Sequence, residues 1–185
     1  RNSFNDYIHD GGCAYQTGLP VFETKAQMEE FDRWLREHRM LLAVKLHPMQ
    51  KLSDISEFSY QNIRLLTNKD IEARKMQLYE LVAHADALVT DYSSIYFDYL
   101  LLNRPIGFTC DDMEAYGGNR GFVVDNPLEL MPGMKIQNYP EFVAFAEKVF
   151  AGDDGFREER ERVNNLVNAD QDGRSCAHLV SLLGL

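Results

Sequence analysis

The sequence predicts an α/β fold in which a parallel sheet is covered by helices on both faces. Strand-like segments alternate with helix-like segments along the chain, and the strand-like segments are continuous apolar runs. Such runs are typical of strands that are buried on both faces. With 185 residues, of which 45% are hydrophobic, the chain is long enough for one domain with a sizeable core.

The first predicted elements follow a polar, glycine-containing segment. Residues 1–22 show no clear period and predict a loop-rich opening. Apolar residues at helical spacing predict a helix over 24–39, and Thr24 with Gln27 three residues later predicts a capping box. The apolar run 40–48 predicts a buried strand that stops at a proline.

The remaining elements continue the alternation. Strands are predicted at 62–67, 87–90 and 105–108, and helices at 70–85, 93–102, 140–151, 156–168 and 174–183. The glycine- and proline-containing stretch between the last strand and the helix at 140 predicts a long irregular connection. Asn103 fits the C-cap of the helix that ends before Pro105.

Charge, cysteine content and apolar runs limit the classes of protein to which this chain can belong. The formal net charge of −10 argues against a nucleic-acid binder, so any phosphate must be held by a local site. Cys13, Cys110 and Cys176 are far apart and suggest free thiols in a reducing compartment. Neither a membrane-spanning apolar run nor a signal peptide is visible. Because the sequence begins at Arg1 rather than Met, we expect an excised piece of a longer protein.

The segment Thr-Asp-Tyr-Ser-Ser follows the third strand, at the edge where ligands of open α/β sheets bind. Thr90 ends the strand, Asp91 lies in the turn, and Ser93 is the predicted N-cap of a helix that starts with Ser94. Free backbone N–H groups and two hydroxyls can hold a phosphate there without a lysine. The alternative is that Asp91 and Ser93 only cap the helix.

Two further candidates lie near this edge. Lys45 and His47 end the first strand on the same side, where the imidazole can donate to a departing phosphate or act as acid or base. The alternative for a lone histidine is a hydrogen bond to a neighbouring loop. Asp98, four residues after Ser94, can accept sugar or polyol hydroxyls, or is simply an exposed helix-surface aspartate.

Weaker candidates follow later in the chain. Asp172 begins an Asp-Gly turn, Ser175 can cap the last helix, and Arg174 can reach an anion, although a plain interhelix turn explains the same residues. Arg120 lies in a glycine-rich loop that can close over a ligand. Asp111-Asp112 has no third ligand at metal spacing and is interpreted as a solvated loop, so we expect no metal and no other cofactor.

The K-L-H-P motif at 45–48 and the block ADALVTDYSSIYFDYLLLNRPIGF at 85–108 together resemble the CDP-glycerol glycerophosphotransferase family, the teichoic-acid primases and polymerases. The similarity covers most of residues 40–180. The matching residues are Thr90, Asp91, Tyr92, Ser93, Ser94, Phe97, Asp98, Pro105, Phe108, Tyr116, Arg120, Gly121, Phe122, Pro132, Gly133, Asp172, Gly173, Arg174 and Ser175. Residues 2–22 and Cys176 depart from the family pattern.

The resemblance implies a Rossmann-like domain, the C-terminal donor-binding half of a two-domain GT-B fold, with residues 1–185 as a single domain and the N-terminal half absent. It implies metal-free transfer of a polyol phosphate from a CDP-polyol to a hydroxyl of a lipid-linked or other polymer at the cytoplasmic membrane face. Its implied site comprises His47 as the catalytic residue and, for the donor, Lys45, Thr90, Asp91, Ser93, Ser94, Asp98, Arg120, Asp172, Arg174 and Ser175.

Two other functions stay open at the level of sequence. One is a GT-B glycosyltransferase or sugar-nucleotide epimerase that uses a UDP-sugar. The other is a domain without catalytic activity that scaffolds a cell-envelope assembly complex. Glycerol, ribitol or another polyol fits the motifs equally well, and the acceptor is not defined.

Overall fold

A computed structural model describes residues 17–45, 59–110, 113, 124 and 126–184. It confirms the α/β class. The helices in the described residues are α1 (Lys25–Glu37), α2 (Asn68–Ala73), α3 (Leu78–Ala83), α4 (Ile95–Tyr99), α5 (Tyr139–Ala151), α6 (Arg157–Val167) and α7 (Ser175–Leu182). The strands are β1 (Leu42–Lys45), β2 (Ile63–Leu66), β3 (Leu88–Thr90), β4 (Ile106–Thr109) and β5 (Met134–Ile136).

All the strand pairs in the described residues are parallel. β1 pairs with β2, and β3, β4 and β5 form a second ladder in that order. No strand pairing joins the two ladders within the residues that the structure describes. Apolar side chains from both ladders nevertheless pack into one core, since Val44 and Val89 contact the same buried cluster.

Helices cover both faces of the three-stranded ladder, as predicted. On one face α1 and α5 pack around a cluster that includes Phe31, Phe142 and Phe145. On the other face α4 and α6 pack around Ile106, Phe108 and other buried residues. Because side chains alternate along a strand, Gly107 faces the first cluster while its two neighbours face the second.

Two glycines allow close packing around β4. A Cβ on Gly107 would lie 2.7 Å from Ile136 Cδ1 and 3.2 Å from a Phe145 ring carbon. A Cβ on Gly133 would lie 2.2 Å from the Ile106 carbonyl oxygen. That oxygen is backbone and cannot turn aside, so Gly133 is required for the approach of β5 to the start of β4.

Several local predictions are confirmed. Thr24 and Gln27 form the reciprocal capping box at the start of α1, with the Gln27 amide 3.3 Å from Thr24 Oγ1. Asn103 adopts the left-handed conformation, with φ of 46°, at the end of the short 3-10 turn Leu100–Leu102 that follows α4. Both motifs are local, so tertiary context does not override them.

Two predictions are corrected. The helix expected over 70–85 is two helices, α2 and α3, because Thr67 with Asp70 and Gln77 with Glu80 each form a capping box and start separate helices. The stretch expected to be irregular contains β5. Residues 17–22 are turns with one isolated bridge between Leu19 and Phe22, in line with the loop-rich prediction. Leu19, Val21 and Phe22 are nevertheless buried in the core beneath α1 and α5.

Candidate functional site

The carboxyl edge of the larger ladder brings the ends of β3 and β4 together. Thr90 ends β3 and Thr109 ends β4, and the Thr109 hydroxyl donates a hydrogen bond to the Thr90 carbonyl oxygen over 3.4 Å. Parallel strands present their carboxyl ends at the same edge, where ligands of open α/β sheets bind. Thr90 is half-buried and lies where β3 reaches this edge.

The turn after Thr90 differs in one respect from the prediction. Ser94, not Ser93, is the N-cap residue, and no side-chain capping bond is present. Asp91 Oδ1 instead accepts a hydrogen bond of 2.9 Å from the Ser93 backbone N–H. An aspartate that bonds two residues onward stabilises a turn. Asp91 thus takes the local structural role, and neither serine hydroxyl is needed as a cap.

The beginning of α4 offers donors to a ligand. Ser93 and Ser94 are both exposed, and the first intrahelical bond here runs from the Phe97 N–H to the Ser94 carbonyl oxygen over 3.0 Å. The backbone N–H groups of Ser94, Ile95 and Tyr96 precede that bond and have no helical carbonyl one turn earlier to accept from them. Because α4 has 5 residues, local N–H and O–H groups matter more here than a helix dipole.

Asp98 lies one turn along α4 and is exposed, but its carboxylate is engaged. The hydroxyl of Tyr79 in α3 donates to Asp98 Oδ2 over 3.2 Å. The negative charge of Asp98 and this hydrogen bond raise the pKa of the Tyr79 hydroxyl above its ordinary value. Tyr79 is not among the site residues that the sequence predicts. Its position near the start of a helix that leads into β3 places it toward the carboxyl edge, but does not specify Asp98 as its partner.

The first-strand candidates are only partly described. Lys45 is the last residue of β1, half-buried, and opposite Leu66 in the parallel ladder. His47 lies outside the described residues, as do Arg120, Cys13 and the Asp111-Asp112 pair. The proposed cooperation of Lys45 and His47 therefore stays a prediction.

The Asp172 turn is formed as expected, with one correction. Asp172 Oδ1 accepts a hydrogen bond of 2.8 Å from the Arg174 backbone N–H, and Gly173 has a φ of 69°. The N-cap of α7 is Arg174 rather than Ser175, and no side chain caps the helix. His178 lies with Nε2 3.4 Å from Asp172 Oδ2. Asp172, Arg174 and Ser175 are all exposed and available to a ligand.

An amide network fixes the segment before this turn against α4. Asn168 Nδ2 donates to the Phe97 carbonyl oxygen over 2.8 Å and to Asn164 Oδ1 over 2.8 Å. Gln171 Oε1 accepts from Asn164 Nδ2 over 3.1 Å. The network anchors the chain one residue before Asp172. Within the described residues no hydrogen bond joins Arg174 to Ser93 or Ser94.

Comparison with known proteins identifies the family. A model of the CDP-glycerol:poly(glycerophosphate) glycerophosphotransferase family matches residues 8–184. The chain belongs to this family, which confirms the resemblance found in the sequence.

Two curated proteins with similar sequences are teichoic acid primases. The chain is 39% identical over 106 residues to the teichoic acid glycerol-phosphate primase of Bacillus subtilis (strain 168), covering 57% of this chain and 25% of that protein. It is 35% identical over 107 residues to the teichoic acid ribitol-phosphate primase of Bacillus spizizenii (strain ATCC 23059 / NRRL B-14472 / W23), covering 57% of this chain and 26% of that protein. It thus spans about a quarter of the length of these relatives.

A solved structure shares the fold. The wall teichoic acid polymerase TagF superposes with a TM-score of 0.51 at 20% identity, covering 86% of this chain and 48% of that one. This likeness supports the predicted Rossmann-like GT-B architecture. None of the helices in the described parts of the chain combines the length and apolar character needed to cross a bilayer.

Proposed function

We propose that this chain supplies the donor site of an enzyme that transfers glycerol phosphate, or another polyol phosphate, from a CDP-activated donor to a hydroxyl of a cell-envelope polymer or polysaccharide. The observation that carries the proposal is the family match over residues 8–184. The exposed serines and carboxylate at the carboxyl edge of the sheet supply groups that such a donor requires.

The chemistry is a phosphoryl transfer. An acceptor hydroxyl attacks the β-phosphorus of the CDP-polyol, the bond from that phosphorus to the bridging oxygen breaks, and CMP leaves with the bond's electron pair. Catalysis then depends on in-line positioning and on stabilising the negative charge of the leaving phosphate. Acceptor binding and the base that activates the acceptor belong to a second, N-terminal domain in this proposal.

The residues take separate roles. Ser93 and Ser94, with the backbone N–H groups at the start of α4, hold the diphosphate. His47 donates a proton or hydrogen bond to it, and Lys45 and Arg174 add positive charge.

The remaining residues shape the pocket or hold the donor's hydroxyls. Asp98 accepts from hydroxyls of the donor. The other donor-side residues are Thr90, Asp91, Arg120, Asp172 and Ser175. We further propose a metal-free reaction and peripheral attachment at the inner face of the cell membrane.

Calorimetric titration tests the donor assignment. The isolated chain and the full-length protein are titrated with CDP-glycerol, CDP-ribitol, CMP and UDP-GlcNAc. We expect cytidine ligands to bind, and the Ser93→Ala/Ser94→Ala double variant to weaken CDP-glycerol binding by about tenfold or more, since hydrogen bonds to charged phosphates are lost. Ser181→Ala, which removes a hydroxyl from exposed α7, is the matched control and should bind as the wild type does.

The contrary outcomes are distinct. Preference for UDP-GlcNAc would move the assignment to a sugar-nucleotide enzyme. Binding of CDP-glycerol that is insensitive to both serines would remove the site from α4. Full-length protein that binds none of the four nucleotides would overturn the enzymatic proposal and leave the scaffold interpretation.

A further inference from the structure

The contact between Tyr79 and Asp98 joins two helix beginnings at the carboxyl edge. Tyr79 is the second residue of α3, and residues 84–87 connect α3 directly to β3. A helix that covers a parallel sheet runs antiparallel to the strand it leads into, so its first turn lies at the carboxyl edge. α4 begins at the same edge because it follows β3. The hydrogen bond of 3.2 Å therefore lies beside the serines of the donor site.

Core packing does not account for this hydrogen bond. The Tyr79 side chain is 57% exposed, and Asp98 is exposed as well. A hydrogen bond between two exposed groups competes with water and adds little to fold stability. Tyr99 of the same region is different, because it is buried and its hydroxyl donates to the Ala85 carbonyl oxygen. Tyr99 therefore supports the fold, whereas the hydrogen bond of Tyr79 needs another explanation.

The hydrogen bond engages one of the two carboxylate oxygens of Asp98. Tyr79 donates to Oδ2, and within the described residues no other donor reaches the Asp98 side chain. An ionised carboxylate offers about four acceptor positions on its two oxygens. With Oδ2 accepting from a tyrosine, Oδ1 is left to accept from the hydroxyls of a ligand. The raised pKa of Tyr79 keeps the proton on its hydroxyl, so Tyr79 stays a donor.

We propose that Tyr79 is a positioning residue that orients the Asp98 carboxylate to accept hydrogen bonds from a vicinal diol of the CDP-polyol. This inference rests on the proposed function. The diol belongs either to the polyol or to the ribose of the donor, since both carry neighbouring hydroxyls. Tyr79 acts through Asp98 and does not touch the phosphates.

Kinetics of the full-length protein test the inference. The variants are Tyr79→Phe, Asp98→Asn and the double variant, assayed for KM and kcat with CDP-glycerol. We expect Tyr79→Phe to raise KM about fivefold with kcat little changed, because only the orientation of a binding group is lost. Asp98→Asn should have the larger effect, and adding Tyr79→Phe to it should change nothing further. A merely structural role would give additive effects.

Titrations with different nucleotides distinguish the diol of the ribose from the diol of the polyol. Titration with CDP, 2′-deoxy-CDP and CDP-glycerol shows which hydroxyls depend on Asp98. If both variants weaken CDP and CDP-glycerol equally, the ribose is the partner, whereas weakening of CDP-glycerol alone identifies the polyol. Tyr139→Phe is the matched control: it also removes a phenol whose pKa is raised by burial and by a nearby carboxylate, that of Glu30, but on the other face of the sheet.

The test distinguishes two failures. A full-length protein that binds no CDP ligand contradicts the proposed function itself. If CDP-glycerol binds and needs Ser93 and Ser94, but neither Tyr79→Phe nor Asp98→Asn changes its affinity or KM, the donor site stands and the role of Tyr79 is wrong. Additive effects of the two substitutions would overturn the inference in the same way.

Discussion

The two edges of the sheet use their arginines differently. At the amino edge, before β4, Arg160 of α6 is 0% exposed. Its Nε donates to Asn103 Oδ1 over 3.1 Å, and its terminal nitrogens donate to the Asn103 carbonyl and to both oxygens of Asp154. α6 leads from there to Asn168, which contacts Phe97 of α4. Beyond Asn168, Arg174 is exposed and its guanidinium has no hydrogen bond within the described residues.

The difference separates residues that build the fold from residues available to a ligand. Arg160 links α6 to Asn103, which follows α4, and to Asp154 in the connection after α5. Its guanidinium is fully buried and hydrogen-bonded to these two residues. Polar groups at the carboxyl edge are bound mainly to nearby backbone, as in the Asp91 and Asp172 turns, or to one another, as in Tyr79 and Asp98. An edge with exposed donors and acceptors can exchange water for a ligand at low cost.

Substitution of Arg160 should give the largest loss of stability. Arg160→Ala leaves Asp154 and the Asn103 oxygen without their partner and removes a large buried side chain. We expect the free energy of unfolding to fall by about 3 kcal/mol, measured by urea denaturation. Arg36→Ala, where the side chain is exposed on α1, is the control and should stay within about 0.5 kcal/mol. Equal effects of the two variants would contradict the comparison.

Low pH should weaken the ion pair between Arg160 and Asp154. The hydrogen bond from Arg160 holds the pKa of Asp154 below its usual value of 3.8. Because the folded-state pKa is lower than the unfolded one, the stabilisation is fully present well above pH 3.8 and is lost as the pH falls through the folded pKa.

Replacing Asp154 by asparagine tests this pH dependence. Asp154→Asn should cost about 1 to 2 kcal/mol at pH 7 and should flatten the decline in stability below about pH 4. Urea denaturation of the variant and the wild type across this pH range measures both effects. An unchanged acid profile in the variant would show that Asp154 does not contribute to it.

Sequence reasoning predicted what depends on local pattern and on family motifs. The α/β class, the Thr24–Gln27 capping box and the Asn103 C-cap follow from residues close together in the chain, and all three are confirmed. β5 was missed because 3 residues give no period, and its close approach to β4 depends on Gly133.

Site geometry was harder to predict. Which serine caps α4 depends on the side chain of Asp91, which takes the Ser93 amide. The contact of Tyr79 with Asp98 joins positions 19 residues apart, and that of Asn168 with Phe97 joins positions 71 apart. No pattern in one sequence specifies such pairs, because tertiary packing decides them. The type of residue at the edge was therefore predictable, while its partners were not.

The smallest effect on stability should come from Arg174. Arg174→Ala should leave the free energy of unfolding within about 0.5 kcal/mol of the wild type, because the side chain is exposed and its guanidinium makes no hydrogen bond or ion pair among the described residues. In the full-length protein it should weaken CDP-glycerol binding by about tenfold at low salt and less at high salt, as expected for an exposed charge facing a diphosphate. Arg36→Ala, an exposed arginine of α1, is the control and should change neither quantity. A stability loss as large as that of Arg160→Ala would mean that the carboxyl edge also builds the fold, and the contrast between the edges would fail.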